Sequence, residues 1–371
     1  MRKDIIFGRL PDVFAFTDGG RVLNLSDWDR RRREILKDVI EIEFGGMPPE
    51  PESFECEPID VMGARYHSTY RLHCGTKNYP FSFILKIWRP DCRHKCPVVL
   101  TGDEMYDSNL DDAVIAEARS RGFAVAKFSR VELASDIKEA GRSGGIYPLW
   151  PDMHFTAISA WAWGYHRAVD ALMQMDFIDT SRIAITGHSR GGKTVLLAGA
   201  TDERIKFVNP NDSGTHGCGC YRFTQVEDDG CYTTETSETL SIMLKRFPHW
   251  MGEGLYKYGD KEAELPYDMH FIKALVAPRY LLETNAYGDI WGNPRGSYLT
   301  HLAAKEVWKM HGCEDRCLTH YRFGEHAQRF DDFCVLFGLI DAERVGANLP
   351  DYFRHVPYTD MQPLHDWKCP E

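Results

Sequence analysis

From residue 96 onward, short apolar runs rich in β-branched residues alternate with amphipathic helical segments, and this alternation limits the fold more than any other feature. The runs are "CPVVLTG", "GFAVAKFSR", "RIAITG", "IKFVNPN" and "PRYLLETNA". Between them lie helical patterns near residues 111–120, across "FTAISAWAWGYHRAVDALMQM" and after Ser189. Strands that are apolar on both faces need helices on both faces, so the pattern predicts a doubly wound, mostly parallel α/β sheet. Ligands of such sheets bind at the carboxyl ends of the strands. With 43% of 371 residues hydrophobic and 27% charged, the chain has the composition of a globular protein with a large core. A formal net charge of -11 argues against a nucleic-acid or anionic-membrane partner, either of which needs a concentrated basic face.

Ahead of the alternation, "ARYHSTYRLHC" and "YPFSFILKIWRP" read as an antiparallel hairpin by period-two apolarity. The Pro-rich stretch "GGMPPEPESFE" (45–55) separates an N-terminal helical arm, residues 1–50, from the body at 51–371. Within the arm, "DRRRREILK" reads as a solvated helix face, with Leu25, Trp28, Ile35 and Val39 as core positions. A second departure, about 214–268, is rich in Thr, Glu, Cys and aromatics and reads as an insertion over the active site. The tail after Gly346 has little periodicity and is expected to wrap irregularly over the surface.

Eleven scattered cysteines fit reduced thiols better than a disulfide framework. The pairs Cys92/Cys96, Cys218/Cys220 and Cys313/Cys317, with His94, His311 and His320 nearby, match no common zinc spacing, so no metal is expected. There is no dinucleotide fingerprint after a first strand and no P-loop, so no organic cofactor is expected either. No stretch has the length of a membrane span, and the N-terminus lacks an apolar run before Pro11. A cytoplasmic location is the expectation, with a trimmed signal peptide left open. The sequence leaves the oligomeric state open too.

The chemistry centres on "ITGHSRGGKTVLLAGA". Gly187-His188-Ser189-Arg190-Gly191 fits G-x-S-x-G between the strand "RIAIT" and a helix, the context of a nucleophile elbow. Such an elbow lifts the serine hydroxyl above the sheet, and the helix N-terminus below it supports a developing oxyanion. A serine nucleophile needs a base, and the chain order on this fold is Ser, acid, His. His326, in "YRFGEHAQRFDDF", stands where the base-bearing loop should be. His188 points away from the elbow and reads as a packing or hydrogen-bonding residue; His216, His301 and His320 read as ordinary polar residues. Two aspartates qualify as the acid. Asp289, in "ETNAYGDIWGNP", holds the usual position, while Asp212, in "NPNDSG", ends the strand after the nucleophile helix. Lys193 lies one turn into the helix, so that it and Ser189 can face one opening, where it meets a ligand or stays solvated, and Trp291 either offers a flat face on which a sugar can stack or caps the core.

At these residues the chain resembles the glucuronoyl esterases, carbohydrate esterase family 15, and more loosely the bacterial acetylxylan-esterase-like hydrolases. The likeness runs from about Trp28 to Phe333, and only the elbow and its flanks are specific. The family's G-C-S-R-x-G-K appears here as "GHSRGGK", with His188 in place of the cysteine. The resemblance implies an α/β-hydrolase fold and a Ser-His-Asp esterase working through an acyl-enzyme. It also implies that Arg190 helps hold the oxyanion, and that Lys193, Trp291 and, more weakly, Glu238 bind the sugar. Asp212 stands where many members have the glutamate of E-S-G. The expected substrate is therefore a small-molecule or oligosaccharide uronate ester, with deacetylation or short-chain carboxylester hydrolysis as the alternative.

Overall fold

The computed structural model describes residues 2–60, 67–105, 112–228 and 234–370. Its first element is a strand, β1 (Arg2–Ile6), where the sequence pattern indicates only helices. The helical part of the arm follows as α1 (Leu25–Glu34) and α2 (Ile40–Phe44), joined by a π-helical turn at Ile35–Val39. Asn24 caps α1 by accepting the Asp27 N–H at 3.0 Å. Trp28, Ile35 and Val39 are buried as expected, but Leu25 is 48% exposed because it falls in the first, solvent-facing turn. The basic run is not wholly solvated either: Arg31 is buried and donates to the Val13 carbonyl and Glu34.

After the Pro-rich stretch come β2 (Glu55–Asp60), β3 (His67–His73) and β4 (Ser82–Trp88), paired antiparallel in that order. The expected hairpin is present from residue 67 onward; its residues 64–66 lie outside the described ones. The alternating part then unfolds as β5 (Cys96–Thr101), α3 (Asp112–Ser120), β6 (Ala124–Phe128), α4 (Ala157–Met173), β7 (Ile178–His188), α5 (Arg190–Thr201) and β8 (Phe207–Asn211). The insertion contributes β9 (Phe223–Asp228), β10 (Thr234–Thr236) and α6 (Leu240–Arg246), and α7 (His270–Ala274) follows it. Alternation resumes with β11 (Tyr280–Ala286), α8 (Pro294–Met310), β12 (Cys317–Arg322) and α9 (Phe330–Val345).

Nine strands form the main sheet in the order β12-β11-β8-β7-β5-β6-β4-β3-β2, parallel from β12 to β6 and antiparallel beyond. The chain passes from β5 to β6 on one side, then crosses back to β7 on the other. The gap outside the carboxyl ends of β5 and β7 is thus a topological switch point, the place where open α/β sheets bind ligands. Successive residues of β5 explain the two layers: Val98 and Leu100 enter one core, Val99 the other. The larger core also takes Trp28 and Phe44 from the arm, Trp161 from α4 and Met243 from α6, so arm, sheet and insertion share one interior. β1 pairs with β9, and β9 with β10, in a separate three-stranded antiparallel sheet. The tail is largely irregular, as expected, with one short turn at Asp351–Arg354; its Trp367 donates to the Leu10 carbonyl at 3.0 Å.

Candidate active site

β7 ends at His188 and α5 begins at Arg190, so Ser189 alone must turn the chain. It does so at φ +56° and ψ −120°, a conformation that strains a non-glycine residue by on the order of 1–3 kcal/mol. The flanking glycines follow from contact distances. A Cβ on Gly187 would stand 2.7 Å from the Gly191 carbonyl, and one on Gly191 2.5 Å from the Asp103 carboxylate. The surroundings hold the strained residue: Asp103 accepts the His188 N–H at 2.9 Å and pairs with buried Arg130, while the Asn211 carbonyl accepts the Ser189 N–H at 2.9 Å.

His326 sits in the loop between β12 and α9, with 35% of its side chain exposed. Its Nδ1 lies 2.7 Å from Asp289 Oδ2, and since a carboxylate accepts, Nδ1 carries the hydrogen and Nε2 is left as the base. Burial alone lowers the His326 pKa, but the hydrogen bond and charge of Asp289, with Asp212 behind it, outweigh this and raise it. Asp289 is buried and fixed by its own loop, its Oδ1 accepting the Gly292 N–H at 2.9 Å.

Of the two candidate acids, then, Asp289 bonds the imidazole. Asp212, at φ +40°, has a different set of partners: Oδ1 takes the Ala286 N–H at 2.7 Å, and Oδ2 takes Arg322 at 3.1 Å and the Ala327 N–H at 3.4 Å. It ties the loop after β11 to the loop carrying His326. Burial and then the nearby charge of Asp289 raise its pKa to about 8.

His188 packs its ring 4.4 Å, centroid to centroid, from that of His326. Asn211 donates through its amide nitrogen to Thr284, so its Oδ1 accepts from His188 Nδ1, 2.7 Å away. Burial, then the neighbouring His326, lowers the His188 pKa to about 4, leaving a neutral ring against the base.

Arg190, Lys193, Glu238 and Trp291 gather around this cluster with differing freedom. Arg190 donates to Asp136 at 2.8 Å and lies 4.7 Å from the centre of the Trp250 ring. Lys193 departs from expectation: it does not face the opening but is buried, with its three N–H donors taken by Ser213 O at 2.6 Å, Thr215 O at 2.5 Å and Glu238 Oε2 at 2.7 Å. A sugar hydroxyl reaches it only by replacing one of these. The physical reason is the helix itself, which points a cation one turn in from its N-terminus toward a region where only an anion and carbonyls offset the cost. Glu238 is buried with it, and the Glu238 N–H donates to the Trp291 carbonyl at 3.0 Å. Trp291 is half-buried and, with Thr236, Glu235, Asp289, Glu325 and His326, lines a cavity of about 520 Å³.

Asp103, Asn211 and Asp136 escape sequence reasoning. Asp103 carried a usable signal, since it follows "VVLTG" at the carboxyl end of a buried strand. Asp136 lies in an irregular loop and carried none.

The model of fungal glucuronyl esterases matches residues 73–312. A 4-O-methyl-glucuronoyl methylesterase 1 of Wolfiporia cocos is 30% identical over 321 residues, covering 83% of this chain and 73% of that protein. The chain belongs to the glucuronoyl esterase family. Among solved structures, a carbohydrate esterase family 15 glucuronoyl esterase from Caldicellulosiruptor kristjansonii superposes with a TM-score of 0.84 at 27% identity, covering 98% of this chain and 97% of that one. A glucuronoyl esterase from Solibacter usitatus gives 0.77 at 26% identity, over 91% and 99%. The mixed, mostly parallel nine-stranded sheet of this family member is consistent with the α/β-hydrolase fold.

Proposed function

We propose that the protein is a serine carboxylic-ester hydrolase that cleaves uronate esters of carbohydrates through an acyl-enzyme. Ser189 Oγ attacks the ester carbonyl while His326 Nε2 takes the hydroxyl proton and passes it to the departing alcohol. Water, deprotonated by the same nitrogen, then attacks the acyl carbonyl, and Ser189 leaves with the proton returned to it. Asp289 orients His326, and Asp212 braces the loops of both. The Arg190 N–H, first in α5 and so without an intrahelical acceptor, supports the oxyanion, with the guanidinium beside it. Trp291 and Glu238 form the wall against which the sugar acyl group lies, and Lys193 holds Glu238 in place.

The observation that carries this reading is the commitment of His326 Nδ1 to Asp289, which leaves Nε2 as the base on a ring packed against His188, the residue before the strained Ser189. The family supplies the uronate. The relatives are named for glucuronoyl methylesterase activity, and an acetyl group has no use for an aromatic wall such as Trp291. Steady-state kinetics on methyl glucuronate and on acetylated xylo-oligosaccharides tests the reading. Faster turnover of the uronate ester, lost in Ser189→Ala, is expected; faster deacetylation by the same serine would leave an esterase of the other substrate class.

A further inference from the structure

Away from the triad, a cavity of about 540 Å³ runs beside the edge strand β12, between α8 and the C-terminal tail. One face of α8 lines it: Tyr298, His301, Leu302 and Lys305 recur at the three- and four-residue spacing that puts side chains on one side of a helix. His301, read from the sequence as an ordinary polar residue, is buried at 4% exposure. Its Nδ1 lies 3.0 Å from Glu283 Oε1, and Lys273 Nζ meets the other oxygen of Glu283 at 2.6 Å. Lys273 also donates to Ser297 O at 3.0 Å and Thr300 Oγ1 at 2.8 Å. Burial outweighs the opposing pull of Glu283 and lowers the His301 pKa, which favours the neutral imidazole, and the Glu283 carboxylate can only accept, so the hydrogen lies on Nδ1. Nε2 is then a bare acceptor. It has no hydrogen-bond partner among the described residues, and His301 is part of the cavity lining.

The rest of the lining restricts what this nitrogen receives. Lys305 and Arg354 stand with Glu314, Asp315 and Glu343, the last already tied to Arg182 and Lys206, so neither a strongly anionic nor a strongly cationic molecule is favoured. Tyr280, stacked on Phe207 and approached by Arg316, and buried Tyr298, whose ring lies within 11° of parallel to that of His301, add apolar ring surface to the lining. Hydroxyl donors, no net charge and apolar C–H faces describe a neutral sugar. We propose that this cavity is a second carbohydrate-binding site, taking a neutral sugar unit that donates one hydroxyl to His301 Nε2 and lays a C–H face against a tyrosine. The site adjoins the catalytic loop. His355, on its rim, lies 3.2 Å from the hydroxyl of Tyr287, two residues before Asp289. A chain held here remains close to the triad without occupying it.

The test is calorimetric titration with xylotriose after Ser189 has been labelled with a fluorophosphonate, which blocks the triad cleft. Labelled protein is expected to bind xylotriose saturably in the millimolar range. Leu302→Trp, which fills the cavity, and His301→Asn, which keeps an N–H toward Glu283 but deletes Nε2, should each weaken binding at least about tenfold. Both should leave p-nitrophenyl acetate hydrolysis unchanged. Absence of saturable binding, binding abolished by the label, or binding unchanged in both variants would each overturn the proposal. Failure of the label to react counts against the hydrolase reading alone, and the two variants then test the cavity on unlabelled protein.

Discussion

Single side chains in this site answer to opposing electrostatic demands, and His326 shows them most directly. It must be neutral to accept the Ser189 proton, yet Asp289 stabilises its protonated form. The sign follows: kcat/KM on methyl glucuronate should rise with pH through a midpoint above the ordinary histidine value of about 6.5. Asp289→Asn removes the stabilising charge and should move that midpoint down while lowering kcat by on the order of 10⁴. A midpoint that stays put would show that Asp289 does not govern the base. Asp212→Asn should cost less in kcat, because Asp212 holds Ala286, Arg322 and Ala327 instead of the imidazole. The reverse ranking of the two variants would transfer the role of acid. The elbow was legible because its signal is local, a strand, a turn and a helix within some sixteen residues, and His326 because it follows an apolar-aromatic run just ahead of a helix. The burial of Lys193 was not legible. Two of its three partners come from the loop after β8 and the third from the link between β10 and α6, and no pattern around residue 193 announces them.

At the scale of elements, the sheet was readable and the pairing of the N-terminus was not. Buried runs such as "CPVVLT" state their own position in a parallel sheet. "RKDII" does not, since it is short and charged and its partner β9 lies far along the chain in the insertion. β1 supports β9, which supports β10, whose Glu235 and Thr236 line the cavity beside His326. Deleting residues 1–7 should therefore raise KM for methyl glucuronate several-fold, with a smaller effect on p-nitrophenyl acetate, which makes little contact with that wall. Equal effects on both substrates would mean that the small sheet serves stability alone. Gly191→Ala tests the elbow in the same way. A Cβ 2.5 Å from the Asp103 carboxylate must push the first turn of α5 away, so both activity and melting temperature should fall.

Across the whole molecule, arm, sheet and insertion bury their large side chains in one interior, which Trp28, Trp161 and Met243 share. Unfolding monitored by near- and far-ultraviolet circular dichroism should then give coincident transitions; an earlier step for the arm would show that residues 1–50 fold on their own. That interior also contains the buried pairs Lys193–Glu238 and Lys273–Glu283. Removing one partner leaves an uncompensated charge, so Lys273→Ala should destabilise the protein by roughly 3–5 kcal/mol, read from the denaturant midpoint.

The ladder between β1 and β9, in which Arg2 faces Glu227, also has a temporal consequence. Residues 2–6 are made well before their partner strand, which follows β5 to β8 in the chain. The wall of the cleft that these strands complete is thus assembled late, by a segment that stays without its mate while β5 to β8 are made.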